Sequence, residues 1–167
     1  MNELITDMHQ KNELDRYFEK LQGAVLPEEV DQIQSAIWEI WLNPADPELA
    51  ALMNLGCDEM ELGDFQQSIR TFTEMVEIAP DCAEAWNKRA TVYYHIGLYK
   101  MSLQDVEQTL KYEPRHFGAI SGKANMLREM GEFCLAYRAL KQLKCLVPYQ
   151  EGLEEQIEEI RCKIKKD

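Results

Sequence analysis

AEAWNKRATVYYHIGLYKMSLQDVEQTLKYEPRH, residues 83–116, decides the fold of this 167-residue chain. One apolar-periodic stretch runs to Gly97, and a second runs from just beyond it to Pro114. Both punctuation marks recur at a spacing of 34 residues, the glycine as Gly63 and Gly131 and the proline as Pro80 and Pro148. Two further columns align at the same period: Phe65, Tyr99 and Phe133, then the small residues Ser68, Ser102 and Ala136. Glycine ends one helical stretch and proline the next, so each unit is predicted to be a helical hairpin.

Units 49–82, 83–116 and 117–150 follow from these columns. They resemble the tetratricopeptide repeat, whose signature is W-x2-L-G-x2-Y, then A-x3-F, then P. The matching positions are Leu52, Leu55, Gly56, Glu59, Ser68, Phe72 and Pro80 in the first unit. In the second they are Trp86, Arg89, Ala90, Tyr93, Ser102, Val106 and Pro114, and in the third Ile120, Lys123, Ala124, Leu127, Ala136, Leu140 and Pro148. The spacing is kept throughout, while the chemistry departs at Glu59, Arg89 and Lys123, charges where the family has apolar side chains. The resemblance implies an all-α, right-handed solenoid of helical hairpins. In it Gly56, Ala90 and Ala124 let paired helices approach, and Phe72, Val106 and Leu140 fill the contact. A partly buried ion pair between Glu59 and Arg89 is expected across adjacent first helices.

On the amino-terminal side, Leu14, Tyr17, Phe18 and Leu21 mark an amphipathic helix over about residues 3–23. A second begins at Pro27, and its Val30, Ile33, Ile37, Trp38, Ile40 and Trp41 make it apolar on more than one side. Residues 1–46 are thus expected to be a degenerate hairpin capping the amino-terminal end of the repeats at 47–150. Asp46 and Pro47 suit the cap and first position of the next helix. Over 151–167, Leu153, Ile157, Ile160 and Ile164 predict a solvating end helix, its glutamates preceding Arg161, Lys163, Lys165 and Lys166 in the order the helix dipole favours. Nine helices and no strand are expected, in one domain.

Thirty acidic against 18 basic residues give a net charge of -12, which repels phosphate backbones and anionic headgroups. Neither nucleic acid nor a membrane is an expected partner. No apolar run approaches the length of a bilayer span, and Met1-Asn2-Glu3-Leu4 lacks a basic leader region, so a cytoplasmic protein is expected. The five cysteines, Cys57, Cys82, Cys134, Cys145 and Cys162, form no C-x-x-C pair and suggest neither a disulfide framework nor a zinc site. His9, His95 and His116 fall in different units, with solvated or capping roles expected for them. No phosphate loop, dinucleotide fingerprint or nucleophile elbow is present. No catalytic set, metal or cofactor is expected, and strong net charge points to a monomer.

Family geometry implies that positions 2, 5, 6, 9, 12 and 13 of each first helix line a concave groove. In this sequence they include Ala50, Met53, Asn54, Cys57 and Met60, then Glu84, Asn87, Lys88, Thr91 and Tyr94, then Gly118, Ser121, Gly122, Asn125 and Arg128. Asn54, Asn87 and Asn125 recur once per unit, a ladder of amides able to pair with the backbone of an extended peptide. The family's carboxylate clamp is not matched, since Met53, Cys57, Gly118 and Gly122 stand where it needs polar or basic residues. Residues 1–82 hold 18 acids and 4 bases whereas 83–150 hold 6 and 10, so a bipolar solenoid is expected.

The leading expectation is a binding scaffold that holds a peptide or protein segment in its groove. The alternatives are an assembly subunit using its convex face or end helices, with Trp38 and Trp41 as anchors, or a small acidic chaperone of secreted proteins. Under the first, the indoles are expected to stay undisturbed when a peptide enters.

Overall fold

The computed structural model describes residues 2–165. Met1, Lys166 and Asp167, counted in the expected end segments, lie outside the described residues. Among the described residues there are nine helices and no strand: α1 (Asn2–Gly23), α2 (Pro27–Leu42), α3 (Pro47–Glu61), α4 (Phe65–Ile78), α5 (Ala83–His95), α6 (Tyr99–Tyr112), α7 (Phe117–Glu129), α8 (Phe133–Leu146) and α9 (Leu153–Ile164). The pairs α3–α4, α5–α6 and α7–α8 are the three predicted hairpins, and the fold is the expected all-α solenoid.

The glycine column has a backbone cause. Gly63, Gly97 and Gly131 take φ of 77°, 76° and 79°, a left-handed conformation that costs glycine little. The amide after each glycine reaches back to a helical carbonyl, Asp64 to Glu59, Leu98 to Tyr93 and Glu132 to Leu127, each at 2.8 Å. These are Schellman closures that satisfy orphan carbonyls and turn the chain identically three times. The small-residue columns set the spacing inside each hairpin. A Cβ at Gly56 would lie 2.7 Å from the Phe72 ring, so only glycine admits that knob. Ser68 donates to the Gly56 carbonyl at 2.8 Å and Ser102 to the Ala90 carbonyl at 2.7 Å, fastening two hairpins at the same repeat position. At α3, the Asp46 side chain accepts from the amides of Glu48 and Leu49, with Pro47 in the first turn.

The expected Glu59–Arg89 pair does not form. Arg89 turns instead to Asp105 on α6, its partner within the hairpin, with Nε and Nη2 donating at 2.7 and 2.9 Å, while Nη1 donates to Thr73 at 3.0 Å. Burial works against the Arg89 charge, but the bond and attraction to Asp105 outweigh it and hold the guanidinium above its ordinary pKa. The indole of Trp86, 4.9 Å away, covers its outer side. Glu59 accepts from Thr71 at 2.7 Å, again inside its own hairpin. Both first-helix side chains thus meet the second helix of their own unit at one repeat position, held by Thr71 and Asp105.

The amino-terminal hairpin also departs from expectation. It does not cap α3. Phe18, Leu21, Ala24, Val30, Ile33, Ile37 and Trp41 join Phe117, Ile120, Ala124 and residues of α8 and α9 in one apolar cluster, toward the opposite end of the chain. Arg115 in the α6–α7 turn pairs with Asp15 at 2.7 Å and lies 4.4 Å over the Phe18 ring. The Gln22 amide caps the last carbonyls of α8, Cys145 at 3.1 Å and Leu146 at 2.8 Å. The cause is in α2: a helix apolar on two sides needs two partners, and α1 supplies only one. The other is the apolar surface of α7 at Phe117, Ile120 and Ala124. At the carboxyl end Leu153, Ile157 and Ile160 bury α9 against α8, as a solvating helix should.

The Arg89→Ala variant leaves the buried Asp105 carboxylate without its partner and is expected to cost about 3 kcal/mol in urea unfolding. Glu59→Gln keeps the Thr71 hydrogen bond and is expected to stay within about 0.5 kcal/mol of the parent.

Candidate functional site

The first helices α3, α5 and α7 pack on one another directly as well as on their hairpin partners, so they form the inner layer of the stack. Helix α2 lies across the amino-terminal ends of two of them. The Trp41 indole stacks on the His116 imidazole with ring centroids 4.0 Å apart and planes 9° from parallel. Trp38 meets His116 and Phe117 edge to face, and its ring tip occupies the space beside Gly118, where a Cβ would sit 2.5 Å from it. Lys88 stands 6.0 Å over Trp38.

Beneath the indoles is a fully buried polar layer. His116 Nδ1 accepts from the Ala119 amide at 3.1 Å, capping α7, so its proton resides on Nε2 and is donated to Glu84 Oε2 at 2.7 Å. The same oxygen accepts from Asn87 at 3.0 Å. The other oxygen, Oε1, has no hydrogen bond and faces the Lys88 ammonium at 3.6 Å. His116 is the expected capping histidine but not a solvated one, because Trp41 and Glu84 seal it from water.

This arrangement redistributes the predicted groove residues. Met53 is 1% exposed and belongs to an apolar cluster with Phe72, Met75 and Val76, which removes it from any open groove. Asn87 is 8% exposed and its amide is spent on Glu84, so the three asparagines are not an equivalent ladder. Asn54 is exposed and Asn125 half-buried. Cys57, Met60, Ser121 and Arg128 are half-buried, the first two packed against the Met53 cluster. Thr91 donates to the Asn87 carbonyl at 2.9 Å, and the Tyr94 hydroxyl donates to Glu129 at 2.6 Å, a bond that raises the phenol's pKa. Trp38 and Trp41 pack on the inner layer, against His116, Phe117 and Gly118.

A cleft of about 130 Å³ lies between α5 and α7, lined by Thr91, Tyr94, Gly122 and Asn125 among others. A larger recess of about 890 Å³ separates the hairpin from the inter-repeat turns, lined in part by Leu14, Trp41, Asp81, Glu84 and Arg115. No group of His, Cys, Asp and Glu among the described residues is placed to hold a metal, and no described helix is long and apolar enough to cross a membrane. Cys57 and Cys82 are partly buried, and desolvation pushes both thiols above their ordinary pKa, whereas Cys134, Cys145 and Cys162 are exposed.

A stack of hairpins with an inner layer of first helices and a solvating end helix is a helical-repeat solenoid. A curated relative, a TPR repeat-containing protein of Rhizobium etli, is 31% identical over 147 residues, covering 88% of this chain and 72% of that protein. The chain belongs to the tetratricopeptide repeat family. No protein-family model matches it. Three further curated relatives are much longer, and the chain spans 20% or less of each. Among solved structures, the Sgt2 TPR domain of Aspergillus fumigatus superposes with a TM-score of 0.66 at 20% identity, over 72% of this chain and 82% of that one. The Yersinia enterocolitica type III secretion chaperone SycD, solved with a peptide of the translocator YopD, gives 0.66 at 14% identity over 74% and 98%. At these identities the likeness is one of fold.

Gly118→Ala drives a methyl into the Trp38 ring. It is expected to cost about 1–3 kcal/mol as an overpacked site and to shift tryptophan emission to the red as α2 lifts. In alkylation with iodoacetamide under native conditions, Cys134, Cys145 and Cys162 are expected to react before Cys57 and Cys82, as peptide mapping by mass would show.

Proposed function

We propose that this protein is a non-enzymatic interaction module that holds an extended segment of a partner protein against the part of its inner face that α2 leaves open. The observation that carries this reading is the cleft between α5 and α7. Thr91 and Tyr94 line one wall and Asn125 the other, while a Cβ added at Gly122 would meet nothing within 4 Å. Glycine there costs helix stability that nothing in the packing demands, and it keeps a side-chain-sized space open. A peptide lying over it would insert one side chain and pair its backbone with Asn125 and, further along, with Asn54.

The solved neighbours are consistent with such a use. The Yersinia chaperone is described with a translocator peptide, and the first TPR of Spaghetti (RPAP3) with an HSP90 peptide. Here the carboxylate clamp has no counterpart, so the partner is held chiefly through its backbone and one inserted side chain. Lys88 is already engaged by Glu84 and Trp38, which leaves Arg128 as the half-buried cation of the third unit on this face. An acidic residue of the ligand belongs at that end. Each neutral hydrogen bond contributes about 1 kcal/mol net and the peptide must be ordered, so dissociation constants on the order of micromolar follow. The module is taken to work as a cytoplasmic monomer, its net charge of -12 opposing self-packing.

A partner segment identified by co-purification is expected to bind the parent and Gly122→Ala, and to lose binding to Gly122→Leu, whose Cβ meets nothing within 4 Å while the rest of its side chain occupies the cleft. Asn125→Ala and Asn54→Ala should each weaken binding about five-fold. Equal affinity of the parent and Gly122→Leu in titration calorimetry would place the partner elsewhere.

A further inference from the structure

Among the described residues, the seat taken by α2 leaves the amino-terminal end of the stack bare. In each later unit the first helix turns one face toward the preceding hairpin. Ala85 and Val92 of α5 are buried there in one cluster with Phe72, Met75 and Val76 of α4. Ala119 and Met126 of α7 are buried in one cluster with Val106 of α6. One repeat earlier, the same positions on α3 are Ala51 and Asp58, and both are exposed. Between and beyond them on the same stripe stand Leu55, 49% exposed, and Leu62, 85% exposed. The two leucines are thus exposed apolar groups on the stripe whose Ala51 and Asp58 positions are buried in the later units.

The charge around this face is of one sign. Helix α3 contains no lysine or arginine, and Glu48, Asp58 and Glu61 flank the stripe in exposed positions. Two of these carboxylates fall in the last turn, the negative end of the helix dipole, where cations are favoured and anions cost stability. A helix end that keeps acids there gains when a cation arrives. A second copy of the chain fits poorly, since a two-fold pairing of α3 on α3 would set Asp58, Glu61 and Glu48 against their own copies. Head-to-tail stacking is closed off as well, because α9 covers α8 at the other end.

We propose that the outer face of α3 is a second docking surface, taking an amphipathic helix of another protein whose apolar stripe is flanked by lysine or arginine. That helix lies on α3 as α4 lies on α5, with its apolar side chains on Ala51, Leu55 and Leu62 and its cations against Asp58, Glu61 and Glu48. The surface is separate from the cleft at Gly122 and does not depend on it.

The probe is a synthetic helical peptide that keeps the α4 side chains facing α5 and carries lysine at its exposed positions. A control peptide has glutamate in their place. Fluorescence anisotropy with the full chain is expected to show saturable binding of the lysine peptide, weakened at least about ten-fold by Asp58→Lys or Leu55→Arg and by 0.5 M salt, with the glutamate peptide not binding. Arginine suits position 55 structurally, because Arg89 holds the equivalent place in the next unit. Circular dichroism of both variants is expected to match the parent. Gly122→Leu is expected to leave this binding unchanged, which separates the outcome from that of the cleft. Equal binding by Leu55→Arg and the parent, no binding of the lysine peptide, loss of binding in Gly122→Leu, or a parent dimer in light scattering that Leu55→Arg dissolves would each overturn the proposal.

Discussion

The stack of the Trp41 indole on the His116 imidazole, 4.0 Å between ring centres, decides what the rest of the molecule offers to a partner. His116 can receive an indole because both of its nitrogens are already used, one capping α7 and one bonded to Glu84. A flat ring with satisfied edges has only its faces left, and an aromatic neighbour fills them best. Gly118 clears room for Trp38 alongside, and α2 is then held at the amino-terminal ends of α5 and α7. From that placement follow the half-covered inner face, the recess beside the inter-repeat turns, and the bare outer face of α3.

The charges that break the family signature are accommodated locally. Arg89 and Asp105 meet bidentately within one hairpin, with Thr73 taking a further guanidinium donor and Trp86 shielding the pair. Such a pair gains little over apolar packing, yet it is costly to break, because either partner left alone is a buried charge. It therefore ties α5 to α6 in a defined register without adding much to stability. Glu59 with Thr71 is the lighter version in the first unit. The excess of acids over the first half of the chain is then free to act outward, on the surfaces of α3 and α4, rather than being consumed by the bases of the second unit.

The repeat itself was legible in the sequence, because each of its columns answers a local requirement. Gly63, Gly97 and Gly131 are needed for left-handed turns, and Gly56 for the approach of Phe72. Periodicity, caps and punctuation act over one or two turns of chain, so residue order alone carries them. The inner-face register puts Thr91 and Asn125 at the cleft between α5 and α7. It fails for Met53, which fills the core, and for Asn87, whose amide is claimed by Glu84.

Three helical hairpins at a period of 34 residues, the helix pair before them and the single helix after are all encoded in residue order. Where that first pair rests and which charges meet was set by packing. Helix α2 has apolar side chains on two sides, a pattern that says it must be buried twice but not by what. The choice fell to contacts between residues far apart in the chain, Trp41 with His116 and Gln22 with Cys145 and Leu146, whose energies depend on shape and satisfied hydrogen bonds rather than on periodicity.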